Sequence, residues 1–176
     1  GTIDRWQRKM IGDDLLEQEI QKVIRRVIQE QEQADITLIT DGQIRWEDLP
    51  HPVARSAQGL TRGALRRFFD NNVYYRRLEL NGGVSFKTSA AAEEFRFASQ
   101  IAKRPVKVAI PGPLTLVIST EPKPGQIPEN LLSLYTDLLR KEVEQLVAAG
   151  VKAIQLDAPA IKPGQPLLPK AVEQIN

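Results

Sequence analysis

Polar side chains stand where short apolar segments of this sequence end, and these side chains could contact a small molecule. The ones that we single out are Asp41, Gln43, Thr115 and Asp157. A carboxylate can hold an ammonium group or act as an acid or base, and a carboxamide orients a ligand through its paired donor and acceptor groups. These residue types therefore predict a pocket for a small polar molecule. Trp46, on the same segment as Asp41 and Gln43, could cover that pocket.

Each of these residues also has a purely structural interpretation. Asp157 could cap a helix or close a turn, and Asp41 precedes a glycine in a pair that is common in turns for backbone reasons alone. Gln43 could be a surface side chain, and Trp46 could simply pack against the fold. Position along the chain leaves both interpretations open.

The composition excludes several kinds of site. The sequence contains no cysteine and a single histidine, His51, which stands between two prolines. A thiolate zinc cluster and a cysteine nucleophile are thereby excluded, and His51 has no second histidine or cysteine to complete a metal site. The sequence also contains no glycine-rich phosphate loop and no Ser-His-Asp set. We therefore assign no catalytic residue and no metal ligand.

Charge does not favour a nucleic-acid partner. The 24 Lys and Arg residues balance 22 Asp and Glu residues, which leaves a formal net charge of +2. One stretch, from Arg62 to Arg77, interleaves arginines with aromatic residues as a stacking and phosphate-binding surface could. The other interpretation is that its aromatic residues belong to the core and its arginines line a solvated face or hold an anionic ligand.

Helical and strand patterns alternate along the chain, and these elements must position the polar residues. Apolar spacing predicts helices at 14–31, 65–71, 89–102 and 129–149, and another near Pro169. Short apolar runs predict strands at 34–39, 106–110 and 151–156. Asn81-Gly82-Gly83 predicts the turn of a hairpin whose strands are 73–80 and 83–87. Strands that alternate with helices indicate a parallel α/β sheet, in which ligands bind at the carboxyl ends of the strands.

Two architectures fit this alternation, a doubly wound sheet and a (β/α)8 TIM-like barrel. A complete barrel takes about 250 residues, whereas this chain has 176. We therefore expect residues 1–176 to form one incomplete domain, either a fragment or a subunit that another chain completes. No run approaches the roughly 20 apolar residues of a membrane span, so we expect a cytoplasmic protein without a membrane partner.

Three segments together resemble the catalytic barrel of cobalamin-independent methionine synthases, within the group that includes uroporphyrinogen decarboxylase. They are ITDGQIRWEDL (39–49), VKVAIPGPLTL (106–116) and GVKAIQLDAPAI (150–161), preceded by Gln29-Glu30-Gln31. They occur in the family's order and cover most of the chain. The resemblance implies an α/β fold of the (β/α)8 class, of which only the first half of the barrel is present.

The resemblance also implies a chemistry. In this family a methyl group passes from a methylated folate, or from methylcobalamin, to the thiol of homocysteine, and a zinc ion lowers the pKa of that thiol. Asp157 falls on the family's aspartate that holds the amino group of the acceptor, and Gln43 falls where many members have a glutamate. The segment from Gly112 to Thr115 falls on a pocket-lining loop. The zinc ligands are expected in the second half of the barrel and are absent from this chain.

Two departures from the family pattern lead to an alternative. Gln43 is uncharged, and Ala158 stands where a second acidic residue is usual. Our leading hypothesis is a methionine-synthase-like methyltransferase segment that a zinc-bearing second half completes. Its partners would be a homocysteine-like thiol, a methyl donor, and either a complementing barrel half or a second copy. The alternative is a non-catalytic small-molecule-binding or assembly subunit with a degenerate half-barrel.

Overall fold

Helices and strands alternate along the chain in a computed structural model that describes residues 1–68, 71–162 and 166–175. The elements in chain order are α1 Thr2–Gln7, α2 Asp13–Gln33, α3 His51–Ser56, β1 Ala57–Arg67, β2 Tyr74–Phe86, α4 Ala90–Ile101, β3 Val108–Pro111, α5 Pro113–Ile118, α6 Pro128–Ala148, β4 Ile154–Asp157 and α7 Leu168–Ile175. None of the helices in these ranges is long and apolar enough to cross a membrane.

A parallel sheet forms the centre of the fold, as the alternation predicts. β3 pairs with β4 in parallel, with Val108 opposite Ile154 and Pro111 opposite Asp157. A third segment joins through a parallel bridge between Ile39 and Val106. The α/β prediction is therefore confirmed, whereas the described residues form no closed barrel.

The predicted strand at 34–39 is reduced to this single bridge. Ile39 pairs with the neighbouring strand, donating to the carbonyl of Pro105 at 3.0 Å and accepting from the amide of Lys107 at 2.9 Å, whereas the amide of Ile36 donates back to the end of α2 at Gln31. Ile36 and Leu38 are exposed. An apolar, β-branched sequence favours a strand, but a strand forms only where a neighbouring backbone supplies the ladder.

A long antiparallel hairpin replaces two other predictions, which are wrong. β1 pairs with β2 from Ala57 opposite Phe86 to Arg67 opposite Tyr74. The predicted helix at 65–71 is therefore extended strand as far as Arg67, and its residues 69–70 lie outside the described ranges. The predicted turn at Asn81-Gly82-Gly83 lies inside β2, so the predicted strands 73–80 and 83–87 are parts of one continuous strand. The cross-strand ladder supplies backbone hydrogen-bond partners for these residues, and those partners come from the facing strand.

One glycine allows the two strands of this hairpin to approach closely. Gly59 has φ +81°, and a Cβ atom there would lie 2.3 Å from the carbonyl oxygen of Gly83. The register shifts between Gln58 and Leu60 at this point. A residue with a side chain would meet both the left-handed backbone and the facing strand.

The main core lies between α6 and the elements that it covers. Its periodic apolar positions include Leu131, Tyr135, Leu138, Leu139 and Leu146, all buried as their spacing predicts. A smaller cluster joins α2 to α4 and the sheet through Ile24, Ile28, Ile39, Ala98 and Val106. These two clusters hold the helices against the sheet whose carboxyl edge carries the predicted site.

A carboxyl group is buried in the main core, at Glu142 of α6. Its Oε1 accepts a hydrogen bond of 2.7 Å from the Ser89 hydroxyl, while Oε2 has no partner among the described residues. Burial raises the pKa of Glu142, and hydrogen bonds from Ser89 and Ser56 oppose the shift. A raised folded-state pKa contributes stability below the unfolded-state value and loses it as the pH rises through the folded-state value.

Glu142→Gln is therefore expected to be more stable than wild type at alkaline pH, by on the order of 1 kcal/mol. The advantage should shrink as the pH falls, because the wild-type carboxyl then becomes neutral too. Urea denaturation at a series of pH values measures the difference. Glu144→Gln, on an exposed position of the same helix, is the matched control. Parallel pH profiles for wild type and Glu142→Gln would contradict the assignment of a costly buried charge.

Candidate functional site

Two of the predicted site residues meet at the carboxyl edge of the sheet. The side-chain nitrogen Nε2 of Gln43 donates a hydrogen bond of 3.3 Å to Oδ2 of Asp157, although the two residues are 114 positions apart. Asp157 is the last residue of β4, and its backbone carbonyl accepts from the amide of Gly112 at 2.8 Å. Its Oδ1 accepts a hydrogen bond of 2.7 Å from the Gln155 side chain. Both Gln43 and Asp157 remain partly exposed, so a ligand could reach them.

The loop that presents Gln43 is held by a side chain of α2. The carboxamide of Gln31 donates to the carbonyl of Thr40 at 2.8 Å and accepts from its amide at 3.0 Å. Gly42 and Gln43 then adopt left-handed backbone conformations, with φ +77° and +55°. The tight turn aims the Gln43 side chain toward Asp157, and the Gln31 bonds explain why a glutamine precedes this loop.

Asp41 takes part in this turn. Its Oδ1 accepts a hydrogen bond of 3.0 Å from the Gln43 amide. Burial raises the pKa of Asp41, and the bond from Gln43 and the charge of Arg45 oppose the shift. The structural interpretation of this aspartate therefore has direct support, and its contact with a ligand stays a prediction.

Trp46 points toward α4. Its indole nitrogen donates to Oε2 of Glu94 at 3.2 Å. Glu94 is buried, and its Oε1 pairs with Arg55 at 2.5 Å. Burial raises the pKa of Glu94, and the nearby Asp41 carboxylate raises it further.

The sequence analysis missed Glu94, although a signal was present. Ala90, Ala91 and Ala98 are buried on the same helix. Glu94 lies three or four positions from each of them, which is the spacing of one helical face. A glutamate on an apolar face needs a partner, so this spacing could have indicated an internal ion pair.

Thr115 lies beneath the edge of the sheet. It is fully buried in α5, and its hydroxyl has no hydrogen-bond partner among the described residues. The structure thus does not join Thr115 to the Gln43 and Asp157 pair. The backbone at Gly112 packs closely against the segment after β4, because a Cβ at Gly112 would lie 3.3 Å from the Cβ of Ala158.

The remaining candidates have partners inside the protein. Nδ1 of His51 accepts from the Glu47 amide at 3.0 Å, and burial lowers the pKa of this imidazole. In the Arg62 to Arg77 stretch, Arg62 pairs with Glu47 at 2.8 Å and Arg77 pairs with Glu121. The structure therefore engages part of this stretch internally.

This chain is similar to known proteins over nearly its whole length. A family model described as the catalytic domain of cobalamin-independent synthase matches residues 2–174. The chain belongs to this family. The resemblance that the three segments carry is thereby confirmed.

Similar members of the cobalamin-independent synthase family include proteins of two lengths. A 5-methyltetrahydropteroyltriglutamate–homocysteine methyltransferase of Listeria welshimeri is 30% identical over 166 residues, covering 92% of this chain and 21% of that protein. A methionine synthase of Sulfolobus acidocaldarius is 24% identical over 177 residues, covering 99% of this chain and 52% of that protein. The chain thus spans about a fifth of the longer relative and about half of the shorter one.

Solved structures of the family share the fold. A B12-independent methionine synthase from Shewanella, in complex with selenomethionine, matches with a TM-score of 0.81 and 22% identity, over 93% of this chain and 50% of that one. A putative vitamin-B12-independent methionine synthase from Listeria monocytogenes matches with a TM-score of 0.71 and 17% identity, over 98% of this chain and 52% of that one. The α/β architecture is therefore that of about half of such a protein.

Zinc is expected for the family, but the residues that the structure describes do not fit a zinc site. The described ranges contain no group of three His, Cys, Asp or Glu side chains that could hold a metal ion. The sequence contains no cysteine, and Nδ1 of its only histidine is engaged by a backbone amide. We therefore assign no metal-dependent step to the residues of this chain.

Proposed function

We propose that this chain is the amino-acid-binding part of a methionine-synthase-type methyltransferase, the first half of a (β/α)8 barrel. The observation that carries the proposal is the contact between Gln43 and Asp157 at the carboxyl edge of the sheet. In barrels of this class the active site lies at that edge, where loops after different strands converge. Family membership supports the same assignment.

Asp157 and Gln43 together suit the ammonium group of an amino acid. The Asp157 carboxylate supplies one negative charge for the one positive charge of the ligand, and charge-assisted hydrogen bonds are the stronger kind. The Gln43 carbonyl oxygen can accept a second ammonium hydrogen, while its amide nitrogen keeps the contact with Asp157. The pair therefore orients the amino end of homocysteine or methionine and leaves the sulfur end free for chemistry.

We assign methyl transfer to the protein in which a second barrel half completes this chain. The relatives are named as methionine synthases and as homocysteine methyltransferases. We propose the same reaction here, from a methylated folate or methylcobalamin to homocysteine. A complementing barrel half would supply the zinc site that activates the thiol.

A second candidate is binding of the amino acid without catalysis. Gln43 and Ala158 carry no charge at two positions where acidic residues are usual in the family, so Asp157 lacks these two acidic neighbours. A chain that binds methionine but transfers no methyl group when paired with a family member's second half would favour this alternative.

Asp157→Asn tests the proposal directly. We expect the substitution to weaken methionine and homocysteine binding by about 1.5 kcal/mol, roughly tenfold in Kd, because it removes a charge-assisted contact. Isothermal titration calorimetry measures the change. The matched ligand 4-(methylthio)butanoate lacks the amino group and should bind both proteins equally.

Asp137→Asn serves as the protein control, because Asp137 is exposed on α6 and pairs with its neighbour Arg140. Equal affinity of wild type and Asp157→Asn for methionine would remove Asp157 from the site and overturn the proposed function.

A further inference from the structure

Glu94 is a buried carboxylate that no part of the proposed function uses. It is 6% exposed and lies on the face of α4 that carries Ala90, Ala91 and Ala98. A carboxylate in such surroundings loses its hydration, and this cost is offset only where partners hold both oxygens. Its two partners therefore indicate what the residue does.

Those partners come from two separate parts of the chain. Oε1 pairs with the Arg55 guanidinium of α3 at 2.5 Å, and Oε2 accepts from the Trp46 indole at 3.2 Å. Arg55 is 39 residues away and Trp46 is 48 residues away. Glu94 thus fastens α3 and the loop after Ile39 to the same point on α4.

The loop connects Trp46, which Glu94 holds, to Gln43. The backbone amide of Trp46 donates to the carbonyl of Gln43 at 2.9 Å, closing the turn in which Gln43 holds its left-handed conformation. Gln43 in turn contacts Asp157. A continuous set of hydrogen bonds therefore runs from the Glu94 carboxylate to the pair at the edge of the sheet.

We propose that Glu94 is a positioning residue of the amino-acid site. Through Trp46, Glu94 holds the loop so that the Gln43 side chain stays in contact with Asp157. The inference rests on the proposed function, because it assigns a role toward the same ligand. Glu94 acts through the loop and does not itself touch the ligand.

The charges that face Glu94 make the positioning sensitive to pH. Arg55 favours the carboxylate from α3, and Arg45 does so from the loop. Asp41 opposes it, and Lys107 lines the same small cavity of about 10 Å³ between α4 and the sheet. As the pH falls, Glu94 becomes neutral and its ion pair with Arg55 is lost. The loop then loosens, so affinity for the amino acid should fall with the pH.

Glu94→Gln tests the inference, because it keeps the size of the side chain and removes its charge. We expect it to weaken methionine binding at pH 7.5 by roughly fivefold, less than Asp157→Asn does, because Glu94 acts on the ligand through the loop. Its affinity should also lose the pH dependence that wild type shows as Glu94 titrates. Glu93→Gln, the adjacent exposed glutamate, should behave as wild type. Unchanged affinity and an unchanged pH profile in Glu94→Gln would overturn the inference.

A second measurement needs no ligand. In a Trp6→Phe background Trp46 is the remaining tryptophan, and its indole N–H resonance should shift with pH when Glu94 is present and stay constant in Glu94→Gln. In wild type at low pH the side chain of Glu94 is neutral, as the glutamine of Glu94→Gln is. The pH series of wild type alone therefore tests the effect of the charge, whether or not the variant folds correctly. If wild type binds no methionine, the proposed function fails, and the Trp46 titration alone decides whether Glu94 controls the loop. If the Trp46 indole resonance has the same pH dependence in wild type and in Glu94→Gln, Glu94 does not position the loop and the inference is overturned.

Discussion

Replacing Tyr135 by alanine is expected to lower the free energy of unfolding by about 3–5 kcal/mol, the usual cost of removing a buried aromatic ring. Tyr135 is fully buried in the main core at the middle of α6. Its hydroxyl lies 2.6 Å from the Thr120 hydroxyl, which itself donates to the Leu116 carbonyl at 2.7 Å. Truncation would therefore leave both a cavity and an unpaired acceptor. Urea denaturation followed by circular dichroism measures the loss.

Tyr135→Phe separates these two contributions. It keeps the ring and removes the hydroxyl, so we expect a loss of about 1 kcal/mol. Burial raises the pKa of Tyr135 to about 12, so the hydroxyl stays protonated at neutral pH and the loss should not vary there. Tyr74→Ala, at an exposed position of β2, should cost less than Tyr135→Phe. If the phenylalanine variant lost as much as the alanine variant, packing of the ring would not be the main contribution.

Arg55→Ala has the second large expected effect, a loss of about 3 kcal/mol in unfolding free energy at neutral pH. The substitution leaves the buried Glu94 carboxylate without its ionic partner. Burial already raises the pKa of Glu94, and removal of the guanidinium should raise it further. Because a raised folded-state pKa costs stability as the pH increases through it, the loss should be largest at alkaline pH and smaller under acidic conditions.

Two further variants identify the source of this loss. Arg55→Lys keeps a positive charge and should retain much of the stability. Arg55→Ala combined with Glu94→Gln removes both charges, and it should be more stable at neutral pH than Arg55→Ala alone. A double variant as unstable as the single one would show that packing of the Arg55 side chain, and not the unpaired carboxylate, causes the loss.

The long helices were predicted well from the sequence, whereas the short helix predicted at 65–71 is strand as far as Arg67. The spacing of apolar residues placed one helix at 129–149 and another at 89–102, and the structure has α6 at Pro128–Ala148 and α4 at Ala90–Ile101. Ser89 caps α4 by accepting from the Ala92 amide, and Gly150 follows α6 with φ +92°. These signals are local, because a helix satisfies its backbone within a few residues.

Strand pairing was harder to predict, because the partner of a strand can lie far along the chain. The apolar run at 34–39 keeps one bridge, at Ile39. Gly82 and Gly83 resemble a turn but lie inside β2, where Gly83 faces Gly59 across the hairpin. Turn residues indicate what the backbone can do locally, and the facing strand decides what it does.

The candidate site shows the same division. Asp157 and Gln43 could be singled out from the sequence because each follows an apolar segment, and parallel strands bring such ends together. Their contact joins residues 114 positions apart, and only the folded sheet establishes it. The ligand role of Asp41 and Trp46 was left open by the sequence, and the structure adds a turn contact for one and a bond to Glu94 for the other.

By itself, the sequence determined the α/β class, the main helices, the lack of a cysteine site and the family that the chain belongs to. These properties depend on residue types and short spacings, which hold in the unfolded chain as well. The tertiary structure alone decided that Glu94 pairs with Arg55 and Trp46, and that Thr115 is buried. The physical reason is that a buried polar group must find its partners in space, and those partners come from elements that meet only when the chain folds.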